Sequence, residues 1–198
     1  LSGTFRPNLG DWENSSPDWD EVISTFPRGE LRDYLGMVST GEVSIAVKPQ
    51  YIDKLPRIFD GEVRELLARV DDRGEIEYYT ELMGISHILD RKLGDLSGGE
   101  LQRVAICATL LKEADVYFFD EPSSYLDIYE RMRMVGVVRE LAEKGKRVLV
   151  VEHDLAILDV LCDSIHVIYG ERSAYGIFTP PRSTRTAINA YLDGFLPE

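Results

Sequence analysis

Hydrophobic positions in the first part of the chain recur with helical rather than strand spacing. Trp19, Val22, Ile23 and Phe26 form one stripe, Pro27-Arg28-Gly29 interrupts it, and Leu31, Tyr34, Leu35 and Val38 restart it with the same period. The pattern predicts a helix-loop-helix over about residues 17–40. Ser16 is its expected N-cap, Pro17 its first helical residue, and Asp18 part of an acidic first turn. A short extended segment follows from Val43 to Val47, and Pro49 fixes the next loop, so Gln50 falls just past a strand end. Val63, Leu66, Leu67 and Val70 mark another amphipathic helix. A further helix is expected from about Glu75 to Met83, closing at Gly84, a residue type that ends helices readily.

The pattern changes after Leu96. A helix from Glu100 to about Lys112 leads into Val116-Tyr117-Phe118-Phe119, an unbroken apolar run of the kind found in strands buried on both faces. A long helix from about Ile128 to Lys144 ends at Gly145, and Val148 to Val151 reads as a second fully buried strand. Helix then strand, repeated, predicts an α/β fold with a parallel sheet core. Leu155, Leu158 and Leu161 continue as a helix. Ile165 to Tyr169 and Tyr175 to Phe178 form an expected strand pair around a Gly-Glu turn.

Composition narrows the classes of function. With 44% hydrophobic residues in 198, the chain can bury the core of a single domain. A formal net charge of −13 argues against binding nucleic acid through the overall field, so any RNA contact would be local. Cys107 and Cys162 lack the paired spacing of metal sites or disulfide frameworks and read as buried thiols of a reducing compartment. No secretory signal pattern is present, and no apolar run approaches the roughly 18 residues of a membrane span, so a soluble cytoplasmic protein without a membrane partner is expected.

Candidate chemistry gathers at loop positions. Ser97-Gly98-Gly99 stands immediately before a helix, where backbone N–H groups and the helix dipole favour an anion; a turn with an N-cap would have the same sequence. Asp120-Glu121-Pro122 puts two carboxylates where a buried strand emerges, the end of a parallel sheet at which α/β proteins bind ligands. Asp127 can cap the long helix. His153 follows the second strand through Glu152. Gln50 by itself is uninformative, and a lone histidine or Asp-Glu-Pro turn carries little weight.

Taken in order, however, these segments resemble the motifs of an ABC ATPase. Leu96-Ser97-Gly98-Gly99-Glu100, continued by Leu101-Gln102-Arg103, resembles the signature motif, and Phe118 to Pro122 resembles the Walker B motif. Ser123-Ser124-Tyr125-Leu126-Asp127 resembles the D-loop, His153 the switch histidine and Gln50 the Q-loop glutamine. The resemblance implies ATP and Mg²⁺ as cofactors, with Asp120 and Gln50 toward the metal and Glu121 and His153 as the catalytic pair. Ser97, Gly98, Gly99, Glu100, Gln50 and Asp127 would handle nucleotide, the signature residues serving one held by a partner domain. A P-loop, Gly-x-x-x-x-Gly-Lys-Ser/Thr, is absent, since no lysine precedes Ser or Thr. Because Leu1-Ser2-Gly3 resembles the close of a P-loop helix, the expected fold is an incomplete ABC-type P-loop ATPase domain truncated before Leu1. It comprises the parallel sheet, a helical signature subdomain at about residues 61–112 and the helix-loop-helix insertion.

Three stretches are similar to ABC subfamily E, the ribosome-recycling or RNase L inhibitor family, in its first nucleotide-binding domain. They are Asn8 to Glu13, Asp120 to Asp127 with its Ser-Ser-Tyr-Leu-Asp D-loop, and Ala187 to Glu198. The resemblance implies a partial nucleotide-binding domain over residues 1–184 and a hinge segment at 185–198. It also implies a second ATPase domain, a ribosomal subunit and a release factor as partners, and iron-sulfur clusters only in an N-terminal domain missing from this chain. The expected activity of the whole is ATP hydrolysis that splits ribosomes in translation. Residues 17–40 are either a ribosome-contacting insertion or a locally packed hairpin, and Arg172, Arg182 and Arg185 either meet rRNA phosphate or line a domain interface. Glu130 departs from the family pattern, which has glutamine there. A non-catalytic interaction module, favoured by the absent P-loop, and a transporter ATPase subunit, disfavoured by Tyr125 and the hinge-like C-terminus, are the alternatives.

Overall fold

The computed structural model describes residues 17–171 and 175–194. Leu1-Ser2-Gly3, Asn8 to Glu13, Ser16, Arg172 and Phe195 to Glu198, to which expectations were attached, lie outside the described residues. Two helices open the described chain, α1 (Trp19–Thr25) and α2 (Glu30–Thr40). The first starts later than the sequence pattern predicts, because Asp18 is the N-cap, its carboxylate accepting from the Trp19 backbone N–H at 2.8 Å. Val22 is the fully buried residue between the two helices, which pair with each other.

Strand β1 (Ile45–Lys48) leads through the short helix α3 (Leu55–Ile58) into α4 (Val63–Val70) and α5 (Ile76–Leu82). Gly84 closes this block with φ of 64°, a left-handed conformation that glycine adopts without a Cβ penalty. Then come α6 (Gly98–Leu110), β2 (Val116–Asp120), α7 (Ile128–Glu143), β3 (Arg147–Val151) and α8 (Leu155–Leu161). The three strands form one parallel sheet in the order β1-β2-β3, with Ala46 opposite Tyr117 and Tyr117 opposite Val148. The predicted α/β architecture with a parallel sheet is therefore present.

Register explains which sheet face is covered. Strand side chains alternate in direction, so Ala46, Lys48, Tyr117, Phe119, Val148 and Val150 share the face packed on the helices. One continuous apolar cluster joins that face to α4, α5, α6 and α7, with Leu67, Met83, Ile106, Leu110 and Val138 among its buried members. Burying a side chain of this size contributes about 1.5–3 kcal/mol, which welds helical block and sheet into one body. Cys107 lies in this cluster, and burial pushes its thiol up to about 12.

Two expectations are corrected. Strand β3 is not buried on both faces: Leu149 and Val151 are 40% and 38% exposed, because the helices cover one face only and β3 lies at the sheet edge. The predicted strand from Ile165 to Tyr169 is two separate pieces. Ser164–Ile165 (β4) pairs antiparallel with Arg182–Ser183 (β7), whereas Ile168–Glu171 (β5) pairs antiparallel with Tyr175–Phe178 (β6). His166 and Val167 break the run, their polar atoms taken by Thr179: His166 Nδ1 lies 2.7 Å from its carbonyl, and the Val167 N–H donates to Oγ1 at 2.9 Å. The chain then enters α9 (Thr184–Asp193), which carries Arg185 and packs on α8.

Candidate functional site

Parallel strands deliver their C-terminal ends to one edge of the sheet, and three of the singled-out residues meet there. Gln50 lies two residues beyond β1, Glu121 one beyond β2 and His153 two beyond β3. The Gln50 side-chain N–H donates to Glu121 Oε1 at 2.8 Å, and His153 Nε2 stands 3.1 Å from the same oxygen. The other oxygen, Oε2, accepts from the Ser124 hydroxyl at 3.3 Å. A carboxylate held at both oxygens is fixed in direction, which is what orienting a water molecule requires. His153 is largely exposed and Glu121 mostly covered, and Glu121 lines a cleft of about 310 Å³. Gln50, Asp53, Ser124 and Tyr125 are among its lining residues.

Glu121 itself sits in an unfavourable backbone conformation. Its φ is 46°, left-handed for a residue with a Cβ, at a cost of about 1–3 kcal/mol. The surrounding elements hold it there. Its N–H extends the ladder to the Val151 carbonyl at 2.8 Å, and its own carbonyl accepts from two side chains to which the sequence reading gave no role in the site. One is Lys48, fully buried, whose Nζ donates to the Asp120 carbonyl at 2.7 Å and the Glu121 carbonyl at 3.2 Å. Burial lowers the Lys48 ammonium to about 8, although the nearby Asp120, Glu121 and Glu152 pull it the other way. The second is Gln102 of α6, also fully buried, donating to the Glu121 and Pro122 carbonyls at 2.9 Å each.

The segment from Glu121 to Asp127 is fastened to the His153 loop as well. Glu152 Oε1 accepts from the Ser123 N–H at 2.9 Å, while Oε2 accepts from the His153 N–H at 2.9 Å. Arg131 donates through Nε to the Leu126 carbonyl at 2.9 Å and pairs through Nη1 with Asp154 at 2.6 Å. Asp127 caps α7, accepting from the Glu130 N–H at 2.8 Å.

Ser97, Gly98 and Gly99 occupy the start of α6. Ser97 and Glu100 form a capping box: the Ser97 N–H donates to the Glu100 carboxylate at 2.8 Å, and the Glu100 N–H donates to the Ser97 hydroxyl at 3.3 Å. The Ser97 backbone N–H first, then the Ser97 hydroxyl and Arg91 at 2.8 Å, lower the Glu100 carboxyl below the usual range against the opposing effect of burial. Ser97 and Gly98 are exposed. Tyr125 crowds both glycine positions. A Cβ at 98 would lie 3.2 Å from the Tyr125 ring, and one at 99 would lie 3.0 Å from the Tyr125 carbonyl oxygen. Glu130 faces the same helix, its Oε1 2.9 Å from Arg103 Nη2, and both side chains are mostly covered. Arg103 also donates to the Met83 and Gly84 carbonyls, at 3.3 and 3.1 Å. Glu130→Ala is expected to lower the unfolding free energy by ~1–3 kcal/mol, and Glu130→Gln by less, since an amide oxygen still accepts. Urea unfolding curves of the two variants measure this, and equal losses would show that the contact rests on the charge of Glu130 and that a neutral acceptor oxygen restores none of it.

Among the described residues no group of three or more His, Cys, Asp or Glu side chains forms a metal cage. The oxygen donors at the strand tips, Asp120 and the amide oxygen of Gln50, suit a hard cation that takes its remaining ligands from phosphate and water, as Mg²⁺ does.

A parallel sheet whose strand tips gather a braced carboxylate, beside a helix opened by Ser-Gly-Gly, defines the class of α/β ATPase domains. The family model described as ABC transporter matches residues 20–124, and the chain belongs to that family. Over all of its 198 residues it is 47% identical to an uncharacterized ABC transporter ATP-binding protein of Methanocaldococcus jannaschii, of which it covers 32%. It is 41% identical over 202 aligned residues to translation initiation factor RLI1 of Saccharomyces cerevisiae, covering 33% of that protein. The solved structure titled as ribosome-bound archaeal Pelota and ABCE1 contains a chain 51% identical with a TM-score of 0.92, matched over 100% of this chain and 33% of its own length. A complex of archaeal ribosomal stalk protein aP1 with archaeal ribosome recycling factor aABCE1 gives 50% identity and a TM-score of 0.87, over 92% of this chain and 35% of that one. The chain thus spans about a third of the relatives it matches, and within the ABC family its full-length likeness is to subfamily E.

Proposed function

We propose that this chain forms part of an ABC ATPase that couples ATP binding and hydrolysis to the splitting of ribosomes into subunits. The observation that carries the reading is the Gln50–Glu121–His153 cluster, in a chain about half identical to a protein titled ribosome recycling factor. In this reading Glu121 orients and deprotonates the attacking water, while Gln50 and His153 hold its carboxylate in line. Asp120 and Gln50 hold Mg²⁺, which supplies charge neutralisation on the phosphates when bound. Ser97, Gly98 and Gly99 serve a nucleotide carried by a second ATPase domain, and Asp127 with the D-loop crosses to that domain. Residues from 185 onward act as the hinge segment, and the whole works in the cytoplasm; iron-sulfur clusters, where present, belong to another domain.

The 198-residue chain on its own is expected to release no phosphate from ATP above background, because no P-loop lysine and amide cradle hold the nucleotide. A longer protein carrying this chain between a P-loop segment and a second ATPase domain is expected to convert ribosomes to subunits in an ATP-dependent manner. Sucrose-gradient sedimentation with and without ATP measures this. Subunit release that is the same without nucleotide would overturn the proposal.

A further inference from the structure

Two half-sites on this chain serve, in the proposed function, different nucleotides: the Ser97–Gly99 end of α6 and the Glu121 cluster. One side chain joins them directly. Gln102 lies one helical turn beyond Gly98 on α6, is fully buried, and spends both amide N–H groups on the carbonyls of Glu121 and Pro122, each at 2.9 Å. Its Oε1 is buried without a hydrogen-bond partner. An orphaned acceptor costs free energy that an apolar residue of the same volume would avoid, so packing alone does not account for an amide at this place. What the amide does is grip the peptide of a residue whose φ of 46° needs restraint. Lys48 grips the same carbonyl from β1 at 3.2 Å, but Lys48 reaches from the Gln50 side, whereas Gln102 reaches from the helix that begins with the signature glycines.

We propose that Gln102 is a positioning residue that ties the signature helix to the backbone of Glu121, so that a displacement of α6 turns the Glu121 carboxylate. It touches no nucleotide. Because Glu121 Oε1 lies 3.1 Å from His153 Nε2, the His153 ring reports the orientation of that carboxylate in the nucleotide-free chain. The inference rests on reading Glu121 as the water-activating residue for its relevance to catalysis; its test does not depend on turnover.

The experiment is heteronuclear NMR of the His153 ring in the 198-residue chain, with Glu121→Ala giving the displacement of the ring signals when the carboxylate is removed. Gln102→Met keeps side-chain volume and removes both donors. It is expected to move the His153 signals in the same direction by at least half of that displacement. Ile106→Val, a buried change one turn further along α6 whose side chain can make no hydrogen bond to Glu121, is expected to leave them at their wild-type positions. Wild-type His153 signals in folded Gln102→Met would overturn the proposal. So would equal displacements in Gln102→Met and Ile106→Val, which would mean that any loosening of α6 suffices. Should Gln102→Met fail to fold, Gln102→Asn, which keeps the amide one methylene short of the two carbonyls, is measured by the same criteria. Failure of ribosome splitting or of hydrolysis in the longer protein would count against the proposed function and leave these NMR outcomes untouched.

Discussion

Glu121→Gln, in this chain extended by a P-loop segment and paired with a second ATPase domain, is expected to retain ATP affinity and to lose hydrolysis by ~10²–10⁴-fold. The substitution keeps volume and one acceptor oxygen, and the backbone that Gln102, Lys48 and Val151 hold is unaltered. What disappears is the carboxylate charge that lets the Glu121 side chain take a proton from water while Gln50 and His153 hold it in place. A carboxylate fixed at 2.8 Å by Gln50 and 3.1 Å by His153 has little freedom to miss its water, which is why the loss falls on turnover and not on binding. Nucleotide affinity by fluorescent-analogue titration and phosphate release in single turnover separate the two quantities. Hydrolysis within a factor of a few of wild type would remove Glu121 from its role.

The second large effect concerns stability and pH. In the folded chain the Lys48 ammonium titrates at about 8 against an ordinary 10.5, chiefly because burial penalises the charge. Between those values the unfolded chain binds the proton and the folded chain does not, so stability rises with pH across that window. Below pH 8 both states are charged and the folded state bears the full cost of a buried ammonium; above 10.5 both are neutral and the cost is gone. The rise amounts to about 3 kcal/mol. Lys48→Met lacks this limb. The difference in unfolding free energy between wild type and Lys48→Met is therefore expected to move by about 3 kcal/mol in favour of wild type from pH 8 to 10.5. Cys107, held up to about 12, works in the opposite sense above pH 9 but is present in both proteins and cancels in the difference. Urea unfolding of both proteins at several pH values is the measurement, and parallel stability curves would refute it.

Much of the architecture was legible because local rules and tertiary structure agree. Gly84 and Gly145 end their helices in left-handed conformations, with φ of 64° and 81°, and Ser97 and Asp127 cap theirs. The exposed face of β3 was not legible. Val148 to Val151 is apolar at every position, and composition cannot tell a strand covered on both faces from one covered on a single face at a sheet edge. Lys48 was missed for a related reason: a lysine between Val47 and Pro49 reads as solvated, as most lysines are. Strand alternation did contain the signal, since period two places Lys48 on the face of buried Ala46. Gln102 likewise shares a helical face with buried Ala105, Ile106 and Thr109. Gln50 and His153 could be named from motif order alone, but that both converge on one oxygen of Glu121 is a product of three strand ends meeting, which no local window contains.

Tyr125 ends by setting how freely the two glycines beneath it can drift. At position 98 a new Cβ would meet atoms of the tyrosine side chain, at 3.2, 3.4 and 3.6 Å, so a lineage that exchanged Tyr125 for a small residue would open room there. At position 99 the obstacle is the carbonyl oxygen of the same residue, 3.0 Å away, and every amino acid carries that oxygen. The first glycine is thus relieved through a paired change, while at the second any side chain requires the main chain at 125 to give by a few tenths of an ångström, whatever side chain stands there.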